Sequence, residues 1–157
     1  MDSKISPEQI EALRQEHIGR LLLRAHRAFS ELSFEKLRAR GHEGLGITHT
    51  ALLANLDLDG TNITVLADRA GITKQAMGHL VVDLEQKGYV QRVVDPTDRR
   101  ATLIKFTDSG QKFLLDAYYV KQEIEAEYTA VLGAERMEEL RAALTVLLEH
   151  SRQAGAS

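Results

Sequence analysis

The chain of 157 residues contains no cysteine and no tryptophan, and only two prolines. The lack of cysteine excludes a disulfide scaffold and redox sensing by a thiol. No apolar run approaches the roughly 20 residues needed to cross a bilayer, and the N-terminal residues lack the apolar core of a signal peptide. We therefore expect a cytoplasmic protein that has no contact with a membrane.

A strong excess of positive charge is also missing, since the net charge is −3. This argues against a polybasic binder but leaves room for a local basic surface. Between residues 87 and 105 five basic residues face two acidic ones, a local charge of +3, so the remainder carries −6. These residues are Lys87, Arg92, Arg99, Arg100 and Lys105 against Asp95 and Asp98.

The usual motifs of enzymes are absent as well. The sequence has no nucleophile elbow, P-loop, H-E-x-x-H or paired-cysteine spacing. The acidic residues Glu135, Glu138 and Glu139 fit the solvated face of an amphipathic helix. We therefore expect no catalytic activity, no cofactor and no metal site.

Long helices are predicted at both ends of the chain. The first opens at Ser6 and runs for roughly thirty residues, with a break near Ser33, against a usual mean of about 11–12. Near the C-terminus, Thr107 caps a fifth helix that Gly133 ends, and a sixth follows with a frayed tail from Ser151. The sixth has one apolar face, made by Met137, Leu140, Leu144, Leu147 and Leu148. Helices this long suggest arms shared with a second subunit.

Three shorter helices are predicted between these arms. The second is capped by Thr48 and has core positions at Ala51, Leu52 and Leu56. The third is capped by Thr64, covers 65–70 and ends at Gly71, where a left-handed residue is expected. The fourth is capped by Thr73, runs to Lys87 and buries a stripe of Ala76, Leu80 and Leu84.

A hairpin follows the fourth helix. Residues 89–94 and 102–106 are rich in β-formers, and the turn-forming loop 95–100 separates them. A helix–turn–helix followed by a hairpin is typical of a winged helix that reads DNA. The predicted fold is mainly α with a small β-hairpin wing, and the wing lies between the fourth and fifth helices.

The helix–turn–helix and the hairpin together predict which residues contact DNA. The fourth helix would present Lys74, Gln75, Gly78 and His79 to bases in the major groove, with Thr73 near a phosphate. Arg99 and Arg100 at the tip of the wing suit the minor groove, and Asp98 would hold one of them by a charge-assisted hydrogen bond. Each feature alone also fits a solvated surface, but their succession favours DNA binding.

The run DPTDRRATLIKFTDSG, residues 95–110, resembles the wing signature of the MarR family of bacterial transcriptional regulators. The matching positions are Asp98, Arg100, Phe106, Thr107 and Gly110. The preceding run LADRAGITKQAMGHLVVDLEQKGYVQR resembles the helix–turn–helix and first wing strand of that family. The resemblance implies a triangular homodimer on a pseudo-palindromic duplex, more in keeping with a repressor than with an activator. Residues 48–110 would bind DNA, and residues 6–47 and 111–152 would form the dimer.

The resemblance also implies a small aromatic or anionic effector, bound in a cleft lined by helices 1, 2 and 5. The candidates by proximity are His17, His26, Phe29, His49 and Tyr118, although a lone histidine is more often a surface or core residue. The absence of cysteine excludes the peroxide-sensing branch of the family, and the absence of histidine in 107–132 argues against the zinc-sensing branch. Two alternatives stay open: a winged helix for protein–protein contact, and a small-molecule-binding dimer without DNA activity.

Overall fold

A computed structural model describes residues 6–8, 10–11 and 17–155, with the side chains of 154 and 155 excepted. Between residues 17 and 155 the chain is mainly helical with one two-stranded sheet, which confirms the predicted fold class. The elements are α1 (Ile18–Ala39), a 3-10 helix (Ile47–His49), α2 (Thr50–Leu53), α3 (Ile63–Ala70), α4 (Lys74–Gln86), β1 (Val90–Val94), β2 (Thr102–Phe106), α5 (Asp108–Leu132) and α6 (Ala134–Gly155). No helix in the described part is long and apolar enough to cross a membrane.

The described chain forms two compact units that divide after Tyr118. The first unit contains α1 to α4, the hairpin and the start of α5. Its core is apolar, and its fully buried side chains include Leu52, Leu66, Met77, Val81, Leu84 and Ile104. The second unit contains the rest of α5 together with α6.

The long first helix begins later than predicted. His17 has an extended backbone and its Nδ1 accepts a hydrogen bond of 3.0 Å from the Gly19 N–H, so α1 starts at Ile18. The break predicted near Ser33 is wrong, because Ser33 is a buried residue inside α1 whose hydroxyl donates to the Phe29 carbonyl. Residues 9 and 12–16 of the predicted helix lie outside the described residues.

Two predicted helix caps are also wrong. Thr48 lies within the 3-10 helix that precedes α2, and α2 itself has only 4 residues. The cap of α3 is Asn62, whose Oδ1 accepts from the Val65 N–H at 2.9 Å, so α3 begins before Thr64. The predicted end of α3 is confirmed, since Gly71 is left-handed with φ +65.

The hairpin pairs Val90 with Phe106 and Val94 with Thr102 in an antiparallel register. A single β-bridge between Thr61 and Ile104 joins the link before α3 to β2. Ile104 is buried in the middle of β2, so the bridge fastens the link before α3 to the centre of the hairpin.

The C-terminal helices begin and break where predicted, but the last one is longer. The Thr107 hydroxyl accepts from the Gly110 N–H at 3.1 Å, and Gly133 separates α5 from α6 with φ +87. The helix continues to Gly155, so the prediction of a frayed tail from Ser151 is wrong.

Candidate DNA-binding surface

The fourth helix is the centre of the candidate surface. Thr73 caps it as predicted, because its hydroxyl accepts from the Ala76 N–H at 3.1 Å. The buried stripe, however, is Met77, Val81 and Leu84. Ala76 is exposed and Leu80 is only half-buried, so the helix is rotated by about one residue from the prediction.

This rotation fixes which predicted side chains face solvent. Thr73, Lys74, Gln75 and His79 are all exposed, with Gln75 and His79 on the side opposite the buried stripe. Gly78 is half-buried on the flank, where an added Cβ would lie 3.8 Å from Ile63 Cδ1. The outward face is therefore polar at its N-terminal end, where side chains that hydrogen-bond to base edges are needed.

An ionic cluster holds the C-terminal half of α4. The Asp83 carboxylate accepts from His49 Nε2 at 2.7 Å and is paired with the Lys87 ammonium one turn later. The hydrogen bonds from Lys87 and then His49 hold the pKa of Asp83 below its ordinary value. His49 Nδ1 also accepts from the Gly46 N–H at 2.9 Å. The imidazole therefore fastens the loop before α2 to α4.

A second ion pair joins α4 to the wing. Arg92 Nε in β1 lies 3.0 Å from Glu85 Oε2. Together with the Asp83 cluster, this pair places a cationic partner beside each of the two carboxylates of α4. The acidic groups of α4 are thus compensated within the chain, which reduces their repulsion of a phosphate backbone.

Short side-chain hydrogen bonds shape the tip of the wing. Asp98 Oδ1 accepts from the backbone N–H of Arg100 at 3.0 Å, and Asp95 Oδ1 accepts from both the N–H and the hydroxyl of Thr97. These bonds from Thr97 lower the pKa of Asp95. The predicted hydrogen bond between Asp98 and an arginine side chain is therefore wrong. Asp98 accepts from the backbone N–H of Arg100 and not from its guanidinium.

The two arginines at the tip are both exposed. Within the described part of the chain, neither guanidinium takes part in an ion pair or a hydrogen bond. The turn thus fixes their backbone while their charged ends stay available for an anionic partner. This is the electrostatic arrangement that a narrow minor groove favours.

The structure contains a buried polar cluster around His42 that no local sequence pattern predicts, because its members lie 47 and 74 residues apart along the chain. His42 is 4% exposed; its Nε2 lies 2.8 Å from Asp116 Oδ2 and its Nδ1 lies 3.1 Å from the Tyr89 hydroxyl. The Phe113 ring packs edge-on against the imidazole. Burial raises the pKa of Tyr89, whereas the hydrogen bond from His42, followed by that from Lys112, lowers the pKa of Asp116. The cluster connects the end of α1, the start of β1 and the first turns of α5.

The predicted effector residues have diverse surroundings. His17 caps α1 and His49 belongs to the Asp83 cluster, so each has a structural partner. His26 is exposed and Phe29 half-buried, three residues apart on α1, and Tyr118 is 57% exposed on α5. Within the described residues, no group of three histidine or acidic side chains is arranged to hold a metal ion.

Comparison with known proteins points to one family. The profile of the MarR family matches residues 43–101, which contain α2 to α4, β1 and the tip of the wing. The transcriptional regulator HosA of Escherichia coli O111:H- is 28% identical over 119 residues, covering 72% of this chain and 88% of HosA.

Solved structures agree with this match. A MarR transcriptional regulator from Methanosarcina mazei Go1 has a TM-score of 0.70 and 22% identity, covering 87% of this chain and 97% of its own. CouR from Rhodococcus jostii RHA1, solved with p-coumaroyl-CoA bound, has a TM-score of 0.63 and 25% identity, covering 85% and 92%. The shared architecture extends beyond the winged helix into the flanking helices.

Proposed function

We propose that the chain is a member of the MarR family of transcriptional regulators, whose profile matches residues 43–101, and that it is a sequence-specific repressor that binds a pseudo-palindromic operator in the bacterial cytoplasm. The observation that carries the proposal is the pairing of an exposed polar face on α4 with two unengaged arginines at the tip of the wing. Lys74, Gln75 and His79 would meet base edges in the major groove, with Thr73 at a phosphate.

The two parts of the surface have different tasks in this proposal. Arg99 and Arg100 supply affinity through the minor groove and backbone, so their contribution is insensitive to sequence and sensitive to salt. Gln75 contributes discrimination at one base position. Gly78, on the flank of α4, lets the helix approach the duplex closely.

Titration of labelled duplexes at two salt concentrations tests the proposal. Arg100→Ala should weaken binding to many sequences and reduce the salt slope by about 1, whereas Gln75→Ala should cost about 1–3 kcal/mol at one base position. If the parent shows no salt-dependent binding, the winged helix serves another purpose, such as protein contact. If both variants bind like the parent, the assigned docking is wrong.

The proposal includes a homodimer, which the exposed apolar side chains of the flanking helices support. Leu21, Leu22 and Leu23 in α1 and Leu147 and Leu148 in α6 are all more than 40% exposed in the single chain. Monomeric proteins rarely leave so many large apolar side chains in water. A second copy of the chain, contacting residues within 6–47 and 111–152, would cover them.

We also propose that a small aromatic or anionic molecule releases the operator. The similarity to CouR, which was solved with p-coumaroyl-CoA, supports this class of ligand. His17, His26, Phe29, His49 and Tyr118 all stay candidates; of these, His17 also caps α1 and His49 also bonds to Asp83. Screening of aromatic acids against a preformed protein–duplex complex tests this, and an absence of release by any of them would count against it.

A further inference from the structure

The outward face of α4 contains one large apolar side chain among its polar residues. Val82 is 44% exposed. The other large apolar residues of this helix, Met77, Leu80, Val81 and Leu84, are buried or half-buried. Val82 lies three residues after His79 and seven after Gln75, positions that share one side of a helix. It therefore continues the face proposed to meet base edges.

The buried and ionic contacts that hold α4 come from residues other than Val82. The helix is held by its buried stripe and by two ionic contacts, one between Asp83 and His49 and one between Glu85 and Arg92. An exposed β-branched residue in a helix interior gains nothing from helix propensity. The exposed part of this side chain is free to contact an apolar group outside the chain.

Major-groove chemistry identifies that contact. Base edges there present hydrogen-bonding groups and one apolar group, the C5-methyl of thymine, which pairs with apolar side chains. Three residues of helix span about 4.5 Å, which is close to one step of about 3.4 Å along a DNA strand. We propose that Val82 reads the methyl group of a thymine, one to two base pairs from the base that faces His79; this rests on the proposed DNA binding.

Removal of that single methyl group tests the inference. A preferred duplex is first selected with the full chain, and each thymine is then replaced in turn by deoxyuridine, which lacks only the methyl. For the parent, substitution at one thymine position in each half-site should weaken binding by about fourfold, the value of one buried methyl group. Val82→Ala should bind the unmodified duplex more weakly by a similar factor and should be indifferent to that replacement.

Val82→Ile is the matched control, because it keeps a branched apolar end and should retain the preference for the methyl group. The inference is overturned if the parent tolerates deoxyuridine at every thymine, or if Val82→Ala remains as sensitive as the parent. Failure of the parent to bind any duplex at low salt would instead overturn the proposed function, and this inference with it.

Discussion

At the scale of single residues, the structural role of an acidic side chain depends on the groups that surround it in the fold. The chain has 23 acidic residues, yet Asp83 and Asp116 stand out because each is bonded to a histidine and a lysine. The lysine at i+4 or i−4 is visible in the sequence. The histidines are 34 and 74 residues away along the chain, so no local pattern reveals them.

The variant Asp116→Asn tests how much the charge of Asp116 in the buried cluster contributes to the stability of the fold. The asparagine keeps an acceptor for His42 but loses the charge that faces His42, Lys112 and Arg40. We expect the free energy of unfolding at pH 7 to fall by about 1–2 kcal/mol, the difference between a charge-assisted and a neutral hydrogen bond. Urea denaturation gives this value directly.

The same variant has a defined pH dependence. The folded pKa of Asp116 is lowered, so its stabilisation is present above the unfolded pKa of about 3.9 and is lost as the pH falls through the folded pKa. The difference between parent and Asp116→Asn should therefore shrink below about pH 4. Asp59→Asn, at an exposed aspartate, is the control. A difference that stays constant down to pH 2 would show that charge is not the cause.

At the scale of elements, local chemistry predicts where a helix starts and ends better than which side it buries. Thr73, Gly71, Thr107 and Gly133 have the predicted roles, because caps and left-handed ends depend on a few adjacent residues. The rotation of α4 was predicted wrongly, since the apolar run 80–82 fits two stripes and packing against the rest of the core selects one.

The wing shows the same division between local and distant effects. Its strands and its turn were predicted from β-formers and turn formers. The bridge between Thr61 and Ile104 was not predicted, because it joins segments more than 40 residues apart. Asp98 was placed at the correct turn but with the wrong partner, since side-chain bonding to the adjacent backbone competes with an ion pair in water.

Two glycines test how closely elements approach. A Cβ on Gly110 would lie 2.1 Å from the Tyr89 carbonyl oxygen, whereas one on Gly78 would meet only Ile63 at 3.8 Å. Gly110→Ala should therefore lower the free energy of unfolding by about 2–4 kcal/mol. Gly78→Ala should raise it by about 0.5–1 kcal/mol, because alanine favours the helix interior.

Urea denaturation of both variants beside the parent provides the comparison. If Gly110→Ala does not fold, the loss of its far-UV helical signal also shows that the added Cβ destabilises the protein. A Gly110→Ala protein as stable as the parent would mean that α5 does not approach β1 as closely as the structure has it.

At the scale of the whole molecule, two copies of the chain have to act together to bind a two-fold operator. The winged-helix fold, which the motif at 95–110 and the preceding helices predict, is confirmed. The profile of the MarR family, which the same residues predict, matches residues 43–101. The dimer stays a prediction, supported by the exposed apolar side chains on α1 and α6. In the sequence these side chains fit ordinary amphipathic stripes, so the length of the helices is the sequence's indication of a partner and the exposure in the folded chain is a second one.

The most direct test of the central claim is binding to duplexes that differ only in half-site spacing, with stoichiometry measured by sedimentation. Two chains should bind one duplex whose half-sites are one helical turn apart, about 10–10.5 base pairs from centre to centre. Inserting five base pairs at the dyad should weaken binding at least about tenfold, because only one half-site can then be engaged. One chain per duplex, or an affinity that does not change with spacing, would contradict the account.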